Sequence, residues 1–221
     1  LSDESFPNDY TSLFPSGIVS WSPSETDQYK ISYTRRIRRP GTNQLNPFPR
    51  FMDPQNVFIG NPELDPEYTD AVEIGYTRSG NLGQLQVTPF YRHTTDIIRF
   101  IVDTDAVVDG REVTSVTFEN LASSDSWGTD VNGSFELGEW FDGFASFNVF
   151  KQVTDGGSVT SLASDAVTWS ARVNGTAQLN PSLSLQAMAF YRAPMEFETG
   201  KFSSFKFSAL TLRQKLFDDR A

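Results

Sequence analysis

The chain has 221 residues, a formal net charge of -10, no Cys and one histidine, His93. These numbers exclude disulfides, thiolate metal sites and a Cys nucleophile, and the acidic balance opposes nucleic acid, whose phosphates need clustered Lys and Arg. A mean hydropathy of -0.37 alongside 19 Phe, 7 Tyr and 4 Trp suits one greasy stripe per strand better than a dry globular interior. No run of about eighteen apolar residues is present, so no transmembrane helix is expected, but membrane strands of about 9 to 11 alternating residues escape that test.

Period-two alternation runs through the whole chain. Tyr29, Ile31, Tyr33 and Ile37 alternate with Gln28, Lys30, Ser32, Thr34 and Arg36, so one wall is apolar and the other wet. Val72, Ile74 and Tyr76 repeat the scheme, as do Leu85, Val87 and Tyr91, then Val131, Phe135 and Leu137, then Ala145, Phe147 and Val149. From Val167 to Leu179 the pattern is clearest, with Val167, Trp169, Ala171 and Val173 opposing Thr168, Ser170, Arg172 and Asn174. Leu183, Leu185, Ala187, Ala189 and Tyr191 follow after Asn180-Pro181, a turn short enough only for a hairpin. In the last segment Phe205 and Phe207 fit one phase and Leu210 and Leu212 the other, which implies either a bulge near Ser208 or a register other than the one these residues suggest.

Short polar turns at Pro23–Asp27, Ser79–Gly83, Gly138–Gly143 and Asn180–Ser182 alternate with longer connections at Arg38–Pro66, Asp103–Glu112, Thr154–Asp165 and Met195–Lys201. Outer-membrane barrels sort their loops this way, with short periplasmic turns and long extracellular loops. The fold class expected is all-β: an antiparallel up-and-down meander of about nine strands, an incomplete segment of a large transmembrane β-barrel. The chain opens at Leu1 without an initiating Met or signal peptide and ends in LFDDRA, so it reads as an excerpt, one partial barrel domain over residues 1–221.

The stretch ISYTRRIRRPGTNQLNPF, followed by GNPELDPEYTDAVEIGY, resembles the barrel of TonB-dependent receptors, in particular their outer-membrane β-barrel family. TPFYRHTTDIIRF, TFENLASSDSWGTDVNGSFEL, FYRAPMEFETGKF and LTLRQKLF resemble later strands of that barrel in the expected order, from about Phe14 to Phe217. The resemblance implies active nutrient uptake across the bacterial outer membrane, with no cofactor and no enzymatic activity. It also implies outer-membrane lipid and lipopolysaccharide as surroundings, a surface lipoprotein as a partner, and a TonB complex reached only through a plug that this chain lacks.

Candidate residues fall into two groups. On the wet phase, Arg92, Phe90, Asn174, Arg172, Phe190 and Arg192 are expected to face the lumen; Phe90 and Phe190 are the rings best placed to serve as stacking platforms for a sugar. At the extracellular rim are Arg38, Arg39, Pro40, Gly60, Asn61, Pro62, Pro66 and Glu67. Gly60 and Asn61 tolerate unusual φ, Pro62 and Pro66 stiffen the return into the strand, and Glu67 caps or pairs locally. Anchoring a loop end is the expected role of this motif, and direct substrate contact is the sharper alternative. Arg35, Arg36, Arg38 and Arg39 form the basic cluster, read as a solvated or paired rim, with lipopolysaccharide phosphate or an anionic substrate as the alternative.

Other signals are weaker. Asp103, Asp105 and Asp109 lack the EF-hand spacing and read as a solvated acidic loop, and His93 reads as interfacial rather than a metal ligand. Trp21, Trp127, Trp140 and Trp169, with Tyr29, Tyr33, Tyr76, Tyr91 and Tyr191, are expected to form the aromatic girdle. Two sequons, at Asn132 and Asn174, fall mid-strand and are discounted. The competing classes are a secreted all-β polysaccharide-binding or structural module, which would pack its apolar face against a second sheet, and a barrel-borne hydrolase, which would need a base and nucleophile that His93 alone does not supply.

Overall fold

The structure is a computed structural model that describes residues 10–108, 110–157, 163–197 and 200–215. Its elements in chain order are β1 (Ser16–Trp21), β2 (Asp27–Arg38), α1 (Thr42–Leu45), β3 (Arg50–Asp53), β4 (Asn56–Phe58), β5 (Glu67–Gly80), β6 (Gly83–Val108) and β7 (Arg111–Leu137). β8 (Phe141–Asp155), β9 (Ser164–Asn180), β10 (Leu183–Arg192), β11 (Met195–Phe197), β12 (Gly200–Phe202) and β13 (Phe205–Gln214) complete it. The main path runs β1-β2-β5-β6-β7-β8-β9-β10-β13, nine strands each hydrogen-bonded to the next along the chain. Among the described residues β1 and β13 do not pair with each other, so the sheet is open, as in a segment of a larger barrel.

Register carries the alternation from strand to strand. Tyr29 stands opposite Tyr76 and Ile31 opposite Ile74; Tyr76 then faces Val87 and Val72 faces Tyr91. Val87 continues to Val131 and Tyr91 to Trp127, Val131 to Phe147, Phe147 to Ala171 and Ala171 to Tyr191. Because side chains opposite one another share a face, these residues form one unbroken apolar belt. Among the described residues nothing covers it: Ile31, Ile74, Val167, Leu210 and Leu212 are each more than half exposed. A soluble sandwich would bury this face against a second sheet, and the described residues contain no second layer.

Rings flank the belt. Trp21, Tyr29 and Tyr76 stack in sequence at 5.5 and 5.0 Å beside the short turns, and Trp169 sits between Phe147 and Tyr191 at 6.0 and 4.8 Å. Trp140 lies 5.4 Å from Phe141, while the hydroxyls of Tyr33 and Tyr91 donate to Asp70 and Asp125 at 2.5 Å each. Amphipathic rings with an apolar body and a wet tip suit the level between hydrocarbon and headgroups.

Three expectations differ from what is found. The bulge near Ser208 does not exist: β13 pairs with β10 in unbroken register, Phe207 opposite Phe190 and Leu210 opposite Ala187. Leu210 and Leu212 therefore join the apolar belt, and Phe205 and Phe207 lie on the polar face, where Phe205 packs 6.0 Å from Phe190. Asp103–Glu112 is not an open loop: β6 and β7 stay paired to Val108 and Arg111, with a register shift between Asp103 and Ala106 that accommodates the acidic residues. Arg38–Pro66 folds too, into α1 and the β3–β4 hairpin, and β4 then pairs parallel with β7, Val57 opposite Ser115.

That last contact creates the main buried cluster among the described residues. Val57, Leu64, Ile97, Ile98, Val113 and Leu121 are each at most 3% exposed. They cluster where the folded 39–66 segment lies on the upper part of the β6–β7 hairpin, on the long-loop edge. The sheet below is a single layer, and the rim above it is a packed lobe.

Candidate functional site

The polar face is built by the residues that alternate with the belt. Arg92 Nη2 lies 3.3 Å from Glu73 Oε1, and its guanidinium sits 4.1 Å above the Phe90 ring. Phe90 is only 6% exposed, because it stands opposite Gly128, which stands in turn opposite Phe150; the two rings approach to 6.5 Å across the glycine. A Cβ on Gly128 would strike the backbone oxygen of Val149 and come within 2.5 Å of Phe150 Cβ. Glycine is needed there so that two large rings can close over the backbone.

On the neighbouring strands Arg172 lies over Phe190 at 5.5 Å and Arg192 over Phe202 at 5.4 Å. Neither pairs with a carboxylate among the described residues. Asn174 shares their face by alternation, opposite Phe144 on β8 and Met188 on β10. The six residues thus lie on one side of one sheet, but they form two groups: Arg92 and Phe90 on β6, and the rest on β9 and β10. Sequence reasoning did not single out Glu73, which neutralises Arg92, or Asn148, whose Nδ2 donates to Asp130 at 2.7 Å. Phe150 was missed as well, for want of any sequence signal beyond its position in the alternation.

At the rim the Gly60–Glu67 segment works as a bolt. Gly60 has no left-handed φ; what it supplies is room, since a Cβ would lie 2.6 Å from Asn46 O and 2.7 Å from Gln44 O. Gly60 N donates to Asn46 O at 2.8 Å and Asn61 N to Gln44 O at 2.6 Å, and the Asn61 amide donates to Phe118 O on β7 at 3.0 Å. Asn120, unnoticed in the sequence, ties three segments: its Oδ1 accepts from Asp65 N, and its Nδ2 donates to Asp65 O and Asp96 O. Asp96 has φ of 55°, a left-handed kink held by that bond.

Glu67 completes the rim. Backbone pairing of β5 with β6 ends at Tyr68 and Thr95, and the Ile98 amide beyond it donates to Glu67 Oε1 at 2.6 Å. Arg38 Nε lies 3.2 Å from the other carboxylate oxygen. Pro66 is buried and Pro62 and Pro40 are half-buried. Two other arginines of the cluster find rings: Arg35 sits 5.2 Å over Tyr68, and Arg39 sits over Tyr10 and donates to its hydroxyl at 2.8 Å. His93 Nδ1 is 2.8 Å from Asp125 Oδ1 on the apolar-phase side. Asp105 N donates to Asp103 Oδ1 at 3.0 Å, and Asp109 lies outside the described residues.

The arrangement among the described residues offers charged and aromatic surface. Among curated proteins no sequence matches this chain. Solved structures do: the copper transporter OprC superposes with a TM-score of 0.65 at 16% identity, over 93% of this chain and 32% of that one. The siderophore receptor PirA from Acinetobacter baumannii gives 0.66 at 12% identity, over 93% and 35%. A ferric enterobactin receptor mutant from Pseudomonas aeruginosa, in complex with enterobactin, gives 0.63 at 16%, over 93% and 33%. The chain spans about a third of the length of each. The profile of the outer membrane protein beta-barrel family matches residues 1–221, and the chain belongs to that family.

Proposed function

We propose that this chain forms part of the wall of a TonB-dependent receptor in the bacterial outer membrane and that the complete protein imports a scarce nutrient. The observation that supports this reading is the exposed apolar belt, continuous over nine strands, with an arginine- and aromatic-bearing polar face behind it. Lipid covers the belt, the polar face borders the lumen, and the packed rim stands outside among lipopolysaccharide. Energy reaches the barrel through a plug domain and TonB. We read the role as transport rather than catalysis: among the described residues His93 bonds Asp125, which Tyr91 also bonds, and no Ser or Thr hydroxyl is hydrogen-bonded to the imidazole.

Accumulation of labelled ferric chelates and of copper, compared between cells lacking the complete gene and complemented cells, tests this. Loss of uptake of one class, reproduced by a protonophore, is the expected result. Equal uptake of every cargo in both strains would remove the transport reading.

A further inference from the structure

On the polar face, between β8, β9 and the small β11–β12 hairpin, lies a cleft of about 170 Å³. That is about ten times the room one ordered water needs. Asn148 and Phe150 come to it from β8, Thr168 from β9, Arg192 from the end of β10, and Met195 and Phe202 from the hairpin. Met195 stands opposite Phe202 within the hairpin, and Ala193 N ties its base to the sheet by donating to Trp169 O at 2.8 Å.

Thr168 is the unusual member. It is 5% exposed, and its Oγ1 has no hydrogen-bond partner, the one such buried side-chain atom among the described residues. A buried hydroxyl left unmade carries a free-energy cost that something in the cleft would relieve. The charge of that occupant follows from its neighbours. The alternation places Arg172 and Arg192 on the polar phase of β9 and β10, and no Asp or Glu shares that phase on those strands or on β13. Asp130, the nearest polar-phase carboxylate on β7, already accepts from Asn148, and Glu196 pairs with Lys201. Its shape follows from the walls, since Phe150, Phe202 and Met195 form flat, polarisable surfaces for a planar group.

We infer that this cleft binds a carboxylate carried on a small planar ring, the carboxylate between the Arg192 guanidinium and the Thr168 hydroxyl and the ring between Phe150 and Phe202. Guanidinium and hydroxyl both donate, so an anionic oxygen satisfies them together. The inference rests on the polar face being the lumen wall, where a cargo or part of one would meet it.

The complete gene product, folded in lipid bilayers and carrying a methyl-labelled Met195, is titrated with benzoate, with uncharged benzamide and with inorganic phosphate. A saturable shift of the Met195 methyl with benzoate is expected, at least about tenfold weaker in Arg192→Gln and several-fold weaker in the near-isosteric Thr168→Val. Benzamide and phosphate should both bind far more weakly. A folded barrel in which Met195 ignores benzoate, leaving the cleft to water, overturns the inference. So does benzamide matching benzoate, which removes the charge, or phosphate matching it, which removes the ring. Heat-modifiable gel mobility reads insertion separately: failure to insert removes the wall reading, whereas insertion with a silent cleft removes only this site.

Discussion

At the residue scale, two carboxylates illustrate how differently an acid can be used. Glu67 is 7% exposed and substitutes for a missing backbone partner by accepting from Ile98 N. Glu67→Ala leaves that buried amide unpaired and should destabilise the rim by about 1 to 3 kcal/mol. Hydrogen exchange should show Ile98 losing protection before the membrane strands do. Arg38→Ala removes only the ion pair, and with an Arg side chain 57% exposed the effect should stay within about 1 kcal/mol. Equal losses in the two variants would show the ion pair, not the amide bond, to be the important contact.

Asp27, at a short turn outside the apolar belt, accepts from the Tyr76 hydroxyl at 2.7 Å and from Ser24 and Thr26 hydroxyls at 2.8 Å. Those donors, Tyr76 foremost, hold its carboxyl at about 2. A depressed folded value means its contribution is complete above the unfolded value of about 4 and is lost as pH falls through 2. In urea titrations, stability should therefore decline over that acid window in the parent, and Asp27→Asn should flatten that part of the curve. An unchanged slope in the variant would rule out this role.

At the element scale, alternation made most strands legible because one-sided burial in lipid and one-sided wetting force a period of two. Val167 to Leu179 needed nothing further. The last strand was ambiguous because Phe205 and Phe207 on one phase and Leu210 and Leu212 on the other both read as apolar, and the two rings lie on the polar side by Phe190; an aromatic ring reports burial without reporting against what. The 39–66 lobe was hidden for a different reason, since β4 meets β7 more than fifty residues away and three residues of strand carry no local signal. Thr168 looked like ordinary polar-phase filler until the β11–β12 hairpin was seen to close over it. On this scale the decisive variant is Ala171→Arg, on the belt and opposite Phe147 and Tyr191. It should cost about 2 to 4 kcal/mol of bilayer folding if near the midplane, while Ser170→Arg, one residue along and on the polar face, should fold nearly as well as the parent. If the two behave alike, the faces have been assigned wrongly.

For the whole molecule, the open sheet matters most. β1 and β13 each present an edge with unpaired amides and carbonyls, tolerable in hydrocarbon only if other strands complete the ring. Expressed alone, residues 1–221 should require detergent and should sediment as aggregates without it. A compact monomer in plain buffer would contradict the membrane assignment, because it would have to hide the belt. The motif from Gly60 to Glu67 was legible as a rim motif, and its bonding to Phe118, Asn120 and Ile98 was not, since those partners lie on strands whose extra length the acidic residues at 103 and 105 disguised.

That extra length has its own consequence. β6 and β7 have 26 and 27 residues, about 85 to 90 Å of strand at roughly 3.3 Å each, whereas crossing the hydrocarbon takes about 9 to 11 residues. More than half of each arm therefore stands clear of the bilayer, braced near its upper end by the β3–β4 hairpin, where Val57 stands opposite Ser115. The tip near Val107, 66% exposed, is the part of this wall that an antibody or a protease reaches first.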